Sequence, residues 1–339
     1  LRDFLLRPIC DAGGGEDGIP LAGGPIRFNK METVGLNREA RRLPLKSVAP
    51  EALRLLAAPR PPLMGVTMDR PRILGVLNVT PDSFSDGRPG ESVAAAVERG
   101  LEMAASGADF IDVGGESTRP GSDPLEPAAE QDRVLPVIEG LKKAGLSAPI
   151  SIDTRNAATA RAAFEAGAAM LNDVSALTHD EESLGTVVEF GGAVCLMHAQ
   201  GDPKTMQDAP RYRNVLIEVY DWLESRVAVC VKAGVPRGRI VVDPGIGFGK
   251  TLAHNLTLIG GLAAFHGLGC AVMLGASRKA FIGRLTGVEN AADRVAGSIG
   301  AALAGAGRGA HVFRVHDVAQ TRQALDVWRA AAWFDGDDE

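Results

Sequence analysis

LGVLNVTPDSFSDG, residues 74–87, changes character halfway. Up to Asn78 it is almost wholly aliphatic; from there it carries Thr, Pro, Asp, Ser, Ser, Asp and Gly with one aromatic, Phe84. A continuous apolar run of this kind reads as a parallel strand covered on both faces, not as the alternating strand of a half-solvated sheet. The polar continuation reads as a loop at the strand's C-terminal end.

Outward from this stretch the same pattern repeats. Taking ILGVLNV (73–79) as the first, further apolar runs are FIDVGG (110–115), ISID (150–153), MLNDV (170–174), AVCLMH (193–198), IVVDP (240–244), AVMLGAS (271–277) and AHVFRVHD (310–317), eight in all. Helical patterns lie between them, such as SVAAAVERGLEMAASGA and NVLIEVYDWLESRVAVCVKAG. The second places Leu216, Val219, Tyr220 and Leu223 at helical spacing before a Gly stop. Several of these patterns end in AG or SG, which suits a glycine just past a helix C-cap. Eight strand–helix units in this length predict an α/β fold, a (β/α)8 TIM barrel. A doubly wound sheet is the competing architecture; it usually has fewer strands and a dinucleotide fingerprint after the first.

Residues 68–335 are expected to form this barrel and residues 1–67 an N-terminal extension, partly irregular. Within the extension DAGGGEDGIPLAGGP is Gly-rich and loose, IRFNKMETVGL suits one strand, and SVAPEALRLLAA suits a short helix with Ser47 as N-cap and Glu51 in its first turn.

The bulk numbers narrow the function. The chain has 339 residues, 45% hydrophobic and 23% charged, which is ordinary globular composition. A net charge of −6 argues against a nucleic-acid partner. The cysteines at 10, 195, 230 and 270 form no CxxC pair, so reduced thiols of a cytoplasmic protein are expected. There is no run of about 18 apolar residues, hence no expected membrane partner. No signal peptide is visible, and a chain that opens on Leu1 leaves a removed leader open.

In such a barrel the site lies at the C-terminal ends of the strands. Here those ends carry Asn78, Glu116–Ser117–Thr118–Arg119, Asp153, Asn172–Asp173, His198, Asp243, Ser277–Arg278–Lys279, Arg314 and His316. A single polar strand end is usually a cap for the next helix; eight on one rim are harder to explain that way. Asp153, Asp243 and Asn172 suit a flat heterocycle with several N–H donors, because buried polar groups must find partners. Lys279, Arg314, His316 and Arg119 supply cations, and the last two strands of such barrels commonly hold phosphate. The plain alternative for Lys279 and the arginines is solvated surface charge; it is weak for Arg314, inside VFRVH. Asn78 and Asp86 offer hard oxygens for Mg2+ shared with a phosphate, while SDG serves equally well as a turn. DPGIGFGKT (243–251) resembles a P-loop but carries Pro244 where the pattern needs Gly, so it is rejected as one. His198 and His316 have no third zinc ligand at suitable spacing, and a lone His in CLMH more often has a structural role.

Taken in order, LGVLNVTPDSFSDG, GADFIDVGGESTRPG, SIDT, LNDVSA, LMH, DPGIGFGK, SRKAFIG and RVHDV resemble the dihydropteroate synthase family, over about residues 63–332. The resemblance implies that 4-aminobenzoate and 7,8-dihydropterin-6-ylmethyl diphosphate are joined, giving 7,8-dihydropteroate and diphosphate by an SN1-like path assisted by Mg2+. It implies pterin-binding roles for Asp153, Asn172, Asp243 and Lys279, with Met197 an apolar wall of that slot. Thr118, Arg314 and His316 match diphosphate-binding positions. Asn78 matches the Mg2+ ligand and Asp86 a second one. Phe84, Arg119 and Pro120 match loop positions that enclose 4-aminobenzoate, with Phe248 and Lys279 on its other side. Asp153, Lys279, Arg314 and His316 are the expected catalytic residues. Ala280 departs from the hydroxyl residue common after the lysine, which would leave backbone N–H groups to bind the aminobenzoate carboxylate.

Two other readings share part of this pattern. A pterin-binding methyltransferase barrel shares the Asp/Asn slot but lacks the SFSDG and STRPG loops and needs no diphosphate cations. A non-catalytic relative would keep pterin binding without turnover. The family usually forms homodimers, and DRVAGSIGAALAGAGRG is rich enough in small residues either for such packing or for packing on the barrel wall.

Overall fold

The structure is a computed structural model that describes residues 2–11, 18–37, 39–79, 92–116, 125–201 and 206–332. Four strands come first: β1 (Phe4–Asp11), β2 (Ile19–Pro20), β3 (Arg27–Gly35) and β4 (Ala40–Pro44). They form an antiparallel sheet in which β3 pairs with each of the other three. A short helix, α1 (Pro50–Ala57), follows. Ser47 is not its cap: the helix starts three residues later, after Ala49, with no side-chain cap. Pro50 explains the shift, since proline at the first helical position needs no N–H partner and already has a helical φ. Glu51 does lie in the first turn.

The sheet and α1 pack on the barrel's outer wall. Leu21, Ile26, Phe28, Met31, Val48 and Leu56 form one buried cluster with Ala263 of the 3-10 segment Leu262–Leu268. Arg60 is buried beside it, donating to the carbonyls of Leu55, Ala58, His266 and Cys270. Asn214 donates to Gly35 O at 2.9 Å. Phe28→Ala should therefore cost about 3–5 kcal/mol, the usual range for a buried Phe truncation. A chemical denaturation curve checks this, and a loss below about 1 kcal/mol would show that the sheet rests only loosely on the barrel.

From residue 72 the expected rhythm is present. The strands are β5 (Arg72–Asn78), β6 (Phe110–Gly114), β7 (Ile150–Asp153), β8 (Met170–Asp173), β9 (Ala193–Met197), β10 (Ile240–Asp243), β11 (Ala271–Leu274) and β12 (Val312–Val315). All neighbouring pairs are parallel, and β12 pairs β5 to close the barrel in chain order. The helices between and after them are α2 (Val93–Ala105), α3 (Pro127–Lys143), α4 (Ala157–Glu165), α5 (Ser183–Phe190), α6 (Val215–Lys232) and α7 (Leu252–Gly260). Two more follow β11, α8 (Ala280–Thr286) and α9 (Val295–Ala306), and α10 (Val318–Ala332) follows β12. The AG and SG signals mark real ends: Gly107 and Gly145, just past α2 and α3, take left-handed φ of +100° and +80°. On α6 all four residues at the predicted spacing are buried.

Ser298, Ala301, Ala302, Gly305 and Ala306 of α9 face inward. A Cβ at Gly305 would stand 2.4 Å from a Leu274 methyl, and one at Gly297 would stand 2.3 Å from an Ile282 methyl. Close packing on the wall and on α8 therefore uses much of this run. Among the described residues no helix is long and apolar enough to cross a membrane.

Candidate active site

The lumen explains why polar residues collect at one end. Leu74, Phe110, Met170, Cys195, Val241, Met273 and Val312 pack into one buried cluster, plugged from below by Leu63 and Met68. Side chains two residues apart on a strand share a face. The next lumen layer is therefore Val76, Asp112, Asn172, Met197, Asp243, Gly275 and Arg314, with Asp153 and Asn78 beside it at the strand ends. The apolar layer is the floor, and the polar one lines the pocket above it.

Three of these groups form a charge cluster. Arg314 Nε donates to Asp112 Oδ2 at 2.6 Å, and its Nη2 donates to Asp153 Oδ2 at 2.6 Å. Asn172 Nδ2 also donates to Asp112 Oδ2, at 3.0 Å. Asp112 is fully buried, and its Oδ1 has no partner among the described residues. Burial pushes Asp153 up to about 7; Arg314 opposes this and the neighbouring Asp112 adds to it. Burial also works against the Arg314 charge, but Asp112 and Asp153 outweigh it and hold its pKa above the ordinary value. One guanidinium thus keeps two carboxylates together inside the barrel.

Across the pocket Asp243 is buried, and its Oδ1 accepts from Gly245 N at 2.7 Å. Burial raises its pKa, while the Gly245 N–H and the nearby Lys279 charge pull it down. Two glycines keep this volume open. A Cβ at Gly275 would stand 3.3 Å from Asp243 Oδ2, and one at Gly114 would stand 3.6 Å from both Asp153 Oδ2 and Asn78 Oδ1. Any side chain at either place would enter the space among the carboxylates.

The loops after β11 and β12 present the cations. Ser277 Oγ lies 3.0 Å from His316 Nδ1 and accepts from His316 N at 3.3 Å. Arg278 adopts a left-handed φ of +58°, which an arginine takes only when its surroundings hold it there. Those surroundings are Asp317, which accepts from Arg278 Nε at 3.0 Å, Ser298, whose Oγ accepts from Arg278 N, and Arg294, which donates to Arg278 O. The turn so formed directs Lys279 over the Phe248 ring, with Nζ 4.0 Å from the ring centre.

The fold thus brings Asp153, Asn172, Asp243, Arg314 and Met197 to one lumen surface. Lys279 and Phe248 meet at its edge, and His316 stands beside Ser277. Phe84, Asp86, Thr118, Arg119 and Pro120 lie outside the described residues. Asp173 turns away: its oxygens accept from Ser175 N, Ser175 Oγ and Leu177 N, which makes it a staple of its own loop. Glu116 is an anchor, bound by Arg155 at 2.9 and 3.2 Å and by Leu125 N. His198 is buried with its ring edge-on to Trp222, in keeping with a structural role. Asp112 was missed. Its signal was a carboxylate inside the apolar run FIDVG, which cannot be buried there without a partner.

Comparison with known proteins agrees with this geometry. Residues 74–316 match the family described as pterin binding enzyme. The dihydropteroate synthase of Escherichia coli is 42% identical over 268 residues, covering 78% of this chain and 94% of that one. The Xanthomonas albilineans dihydropteroate synthase solved with 4-aminobenzoic acid superposes with a TM-score of 0.75 at 46% identity, covering 81% and 99% of the two chains. The same enzyme in complex with 7,8-dihydropteroate gives a TM-score of 0.71 at 44% identity, covering 79% and 96%. With buried acceptors on one lumen surface, cations on and after the last two strands, and likeness over nearly the whole of these relatives, the chain belongs to the dihydropteroate synthase family of pterin-binding enzymes.

Proposed function

We propose that this chain joins 7,8-dihydropterin-6-ylmethyl diphosphate to 4-aminobenzoate, releasing 7,8-dihydropteroate and diphosphate, as a transferase of folate biosynthesis. One observation carries the reading: buried acceptors on β6, β7, β8 and β10 stand directly beside the cations of the last two strands. A reduced pterin presents N–H donors along one edge, and Asp243, Asn172 and Asp153 are acceptors that need such donors. Met197 gives the ring an apolar face and Lys279 Nζ reaches its carbonyl. The relatives that hold 4-aminobenzoic acid and 7,8-dihydropteroate support both substrate classes.

The chemistry follows from the charges. The methylene C–O bond breaks and its electron pair leaves with the diphosphate, which Arg314 and His316 hold. The cation left on the pterin methylene faces Asp153 and Asp112, whose charge Arg314 balances until then. The arylamine nitrogen, placed between Phe248 and Lys279, forms the new C–N bond and gives its proton to solvent or diphosphate. An aromatic amine attacking a cation needs no strong base. Thr118, with Phe84, Arg119 and Pro120, belongs to the same proposal as loop groups that close over the diphosphate and the aminobenzoate.

A Mg2+ ion fits this donor set as a guest of the substrate. Asn78 Oδ1 is a hard oxygen at the mouth of the pocket, on the same open ground as Asp153. Among the described residues no three His, Cys, Asp or Glu side chains cluster as a metal cage. Asn78, with Asp86 as a second ligand, would hold an ion that takes its other oxygens from diphosphate and water. Bound there, it would neutralise charge on the leaving group.

Gly275→Ala tests the slot itself. The added methyl enters the space between Asp243 and Arg314, so affinity for a pterin diphosphate should fall by about tenfold or more, the cost of overfilling a packed site. Calorimetry with the wild type beside it reads this, and an unchanged affinity would contradict the placement of the pterin. We also propose a cytoplasmic protein that pairs as a homodimer through the outer face of α9, where space is open around Gly300. A single monomeric species in sedimentation at all concentrations would contradict the pairing.

A further inference from the structure

The loop DPGIGFGKT carries a lysine, Lys250, that the reaction above does not use. Lys250 is 1% exposed, one of the largest fully buried side chains of the chain. A lysine in water keeps its ammonium solvated; this one turns its ammonium into the protein. Nζ donates to Phe248 O at 2.9 Å and to His198 O at 3.2 Å, and stands 3.1 Å from His198 Nδ1. Nζ thus meets two backbone carbonyls and an imidazole nitrogen on two different loops.

Those loops bear the walls of the two substrate sites. His198 directly follows Met197, the apolar wall of the slot. Phe248 directly follows the glycine on which the Lys279 stem packs: a Cβ at Gly247 would stand 3.2 Å from Lys279 Cδ. The loop turns through three glycines, Gly245, Gly247 and Gly249, with left-handed φ of +70°, +86° and +62°, and is braced internally by Gly245 N on Asp243 Oδ1 and Phe248 N on Gly245 O. Its backbone also lies against the neighbouring loop so closely that a Cβ at Gly245 would be 1.9 Å from His198 O and one at Gly249 would be 2.4 Å from Gln200 O. Other ties also join the loop to the segment after β9: Tyr212 Oη donates to Gly249 O, Gln207 Nε2 donates to Gly247 O at 2.5 Å, and His198 N donates to Asp243 O; on the far side Gly247 N donates to Asn255 Oδ1. Those bonds hold Asp243, Gly247 and Gly249; the Phe248 carbonyl itself is bonded by the Lys250 ammonium, which links it to His198 O at the end of β9.

We infer that Lys250 is a positioning residue that straps the loop bearing Phe248 to the end of β9, setting the aminobenzoate wall against the pterin wall. This rests on the proposed placement of 4-aminobenzoate against Phe248. The burial is costly for a cation and lowers the Lys250 pKa to about 7, although the nearby Asp243 charge opposes the shift. A methionine would fill the same volume without that cost, so packing alone gives no reason for a lysine here.

The test is a double-mutant cycle of Lys250→Met and Phe248→Ala in the full chain, with KM for 4-aminobenzoate, kcat per folded protein and Tm measured for each. Lys250→Met keeps the stem and removes the donors. It should raise KM for 4-aminobenzoate by about tenfold, as loss of one or two net hydrogen bonds would, with kcat changed less than about threefold. In a Phe248→Ala background it should add no further rise, because the group it positions is gone. A lower Tm with KM unchanged, or a KM effect that multiplies with Phe248→Ala, would overturn the inference. If Lys250→Met does not fold, His198→Phe removes one acceptor and keeps a ring against Trp222; a rise in the same KM supports the strap and no rise overturns it. Should Phe248→Ala itself leave KM for 4-aminobenzoate unchanged, the aminobenzoate placement fails, and the strap fails with it.

Discussion

Arg314→Met is expected to reduce turnover by about a thousandfold, at the upper end for losing one preorganised charge at a reacting centre. It should also lower stability by about 3–5 kcal/mol, because it strands two buried carboxylates, Asp112 and Asp153, that now share one guanidinium. The stability loss has a pH signature. Asp153 rises from 3.8 unfolded to about 7 folded, so between those values the folded state binds the extra proton. Its contribution to stability therefore falls as pH rises through that window and is flat above it. Arg314 is the group that lowers this pKa, so its removal extends the fall to higher pH. The deficit of Arg314→Met relative to wild type should be larger at pH 8 than at pH 5. Urea denaturation at the two pH values checks this, and an equal deficit at both would contradict the ion-paired cluster.

Lys279→Ala should lower kcat/KM by about 10²–10³, the loss typical of one donor at a developing charge. The residue touches both halves of the pocket: its ammonium stands over Phe248 and its charge helps to keep Asp243 ionised. KM should rise for both substrates, whereas a group confined to one subsite would move only one. Lys279→Arg should not restore the rate, because a planar fork cannot replace a compact ammonium over that ring. Steady-state kinetics with each substrate varied in turn distinguish these outcomes, and a rise confined to one KM would contradict the position given to Lys279.

The barrel was legible because strands buried on both faces leave unbroken apolar runs. ISID, read as residues 150–153, is β7 to the residue. The N-terminal sheet was harder to see. Only β3 was foreseen: β1 carries Pro8, which is tolerated because β1 lies at the edge of the sheet, and β4 reads ARRLP, an exposed edge without an apolar signal. At the site the last polar residue of each strand was the useful signal, but position alone could not tell Asn172 from Asp173. The two-residue repeat separates them, since Asn172 shares the lumen face of Met170 and Asp173 does not. The same count back from Gly114 finds Asp112. Lys250 was invisible because a lysine in a loop is ordinarily solvated, and only the fold shows the three acceptors that draw it inside.

The most direct test mixes the purified protein with 7,8-dihydropterin-6-ylmethyl diphosphate, Mg2+ and 4-aminobenzoate and follows diphosphate and dihydropteroate together, with Lys279→Ala alongside. The account predicts equal release of the two products by the wild type and near loss of both in the variant. Tight pterin binding without dihydropteroate formation by the wild type would contradict it and identify a binding protein built on the same barrel.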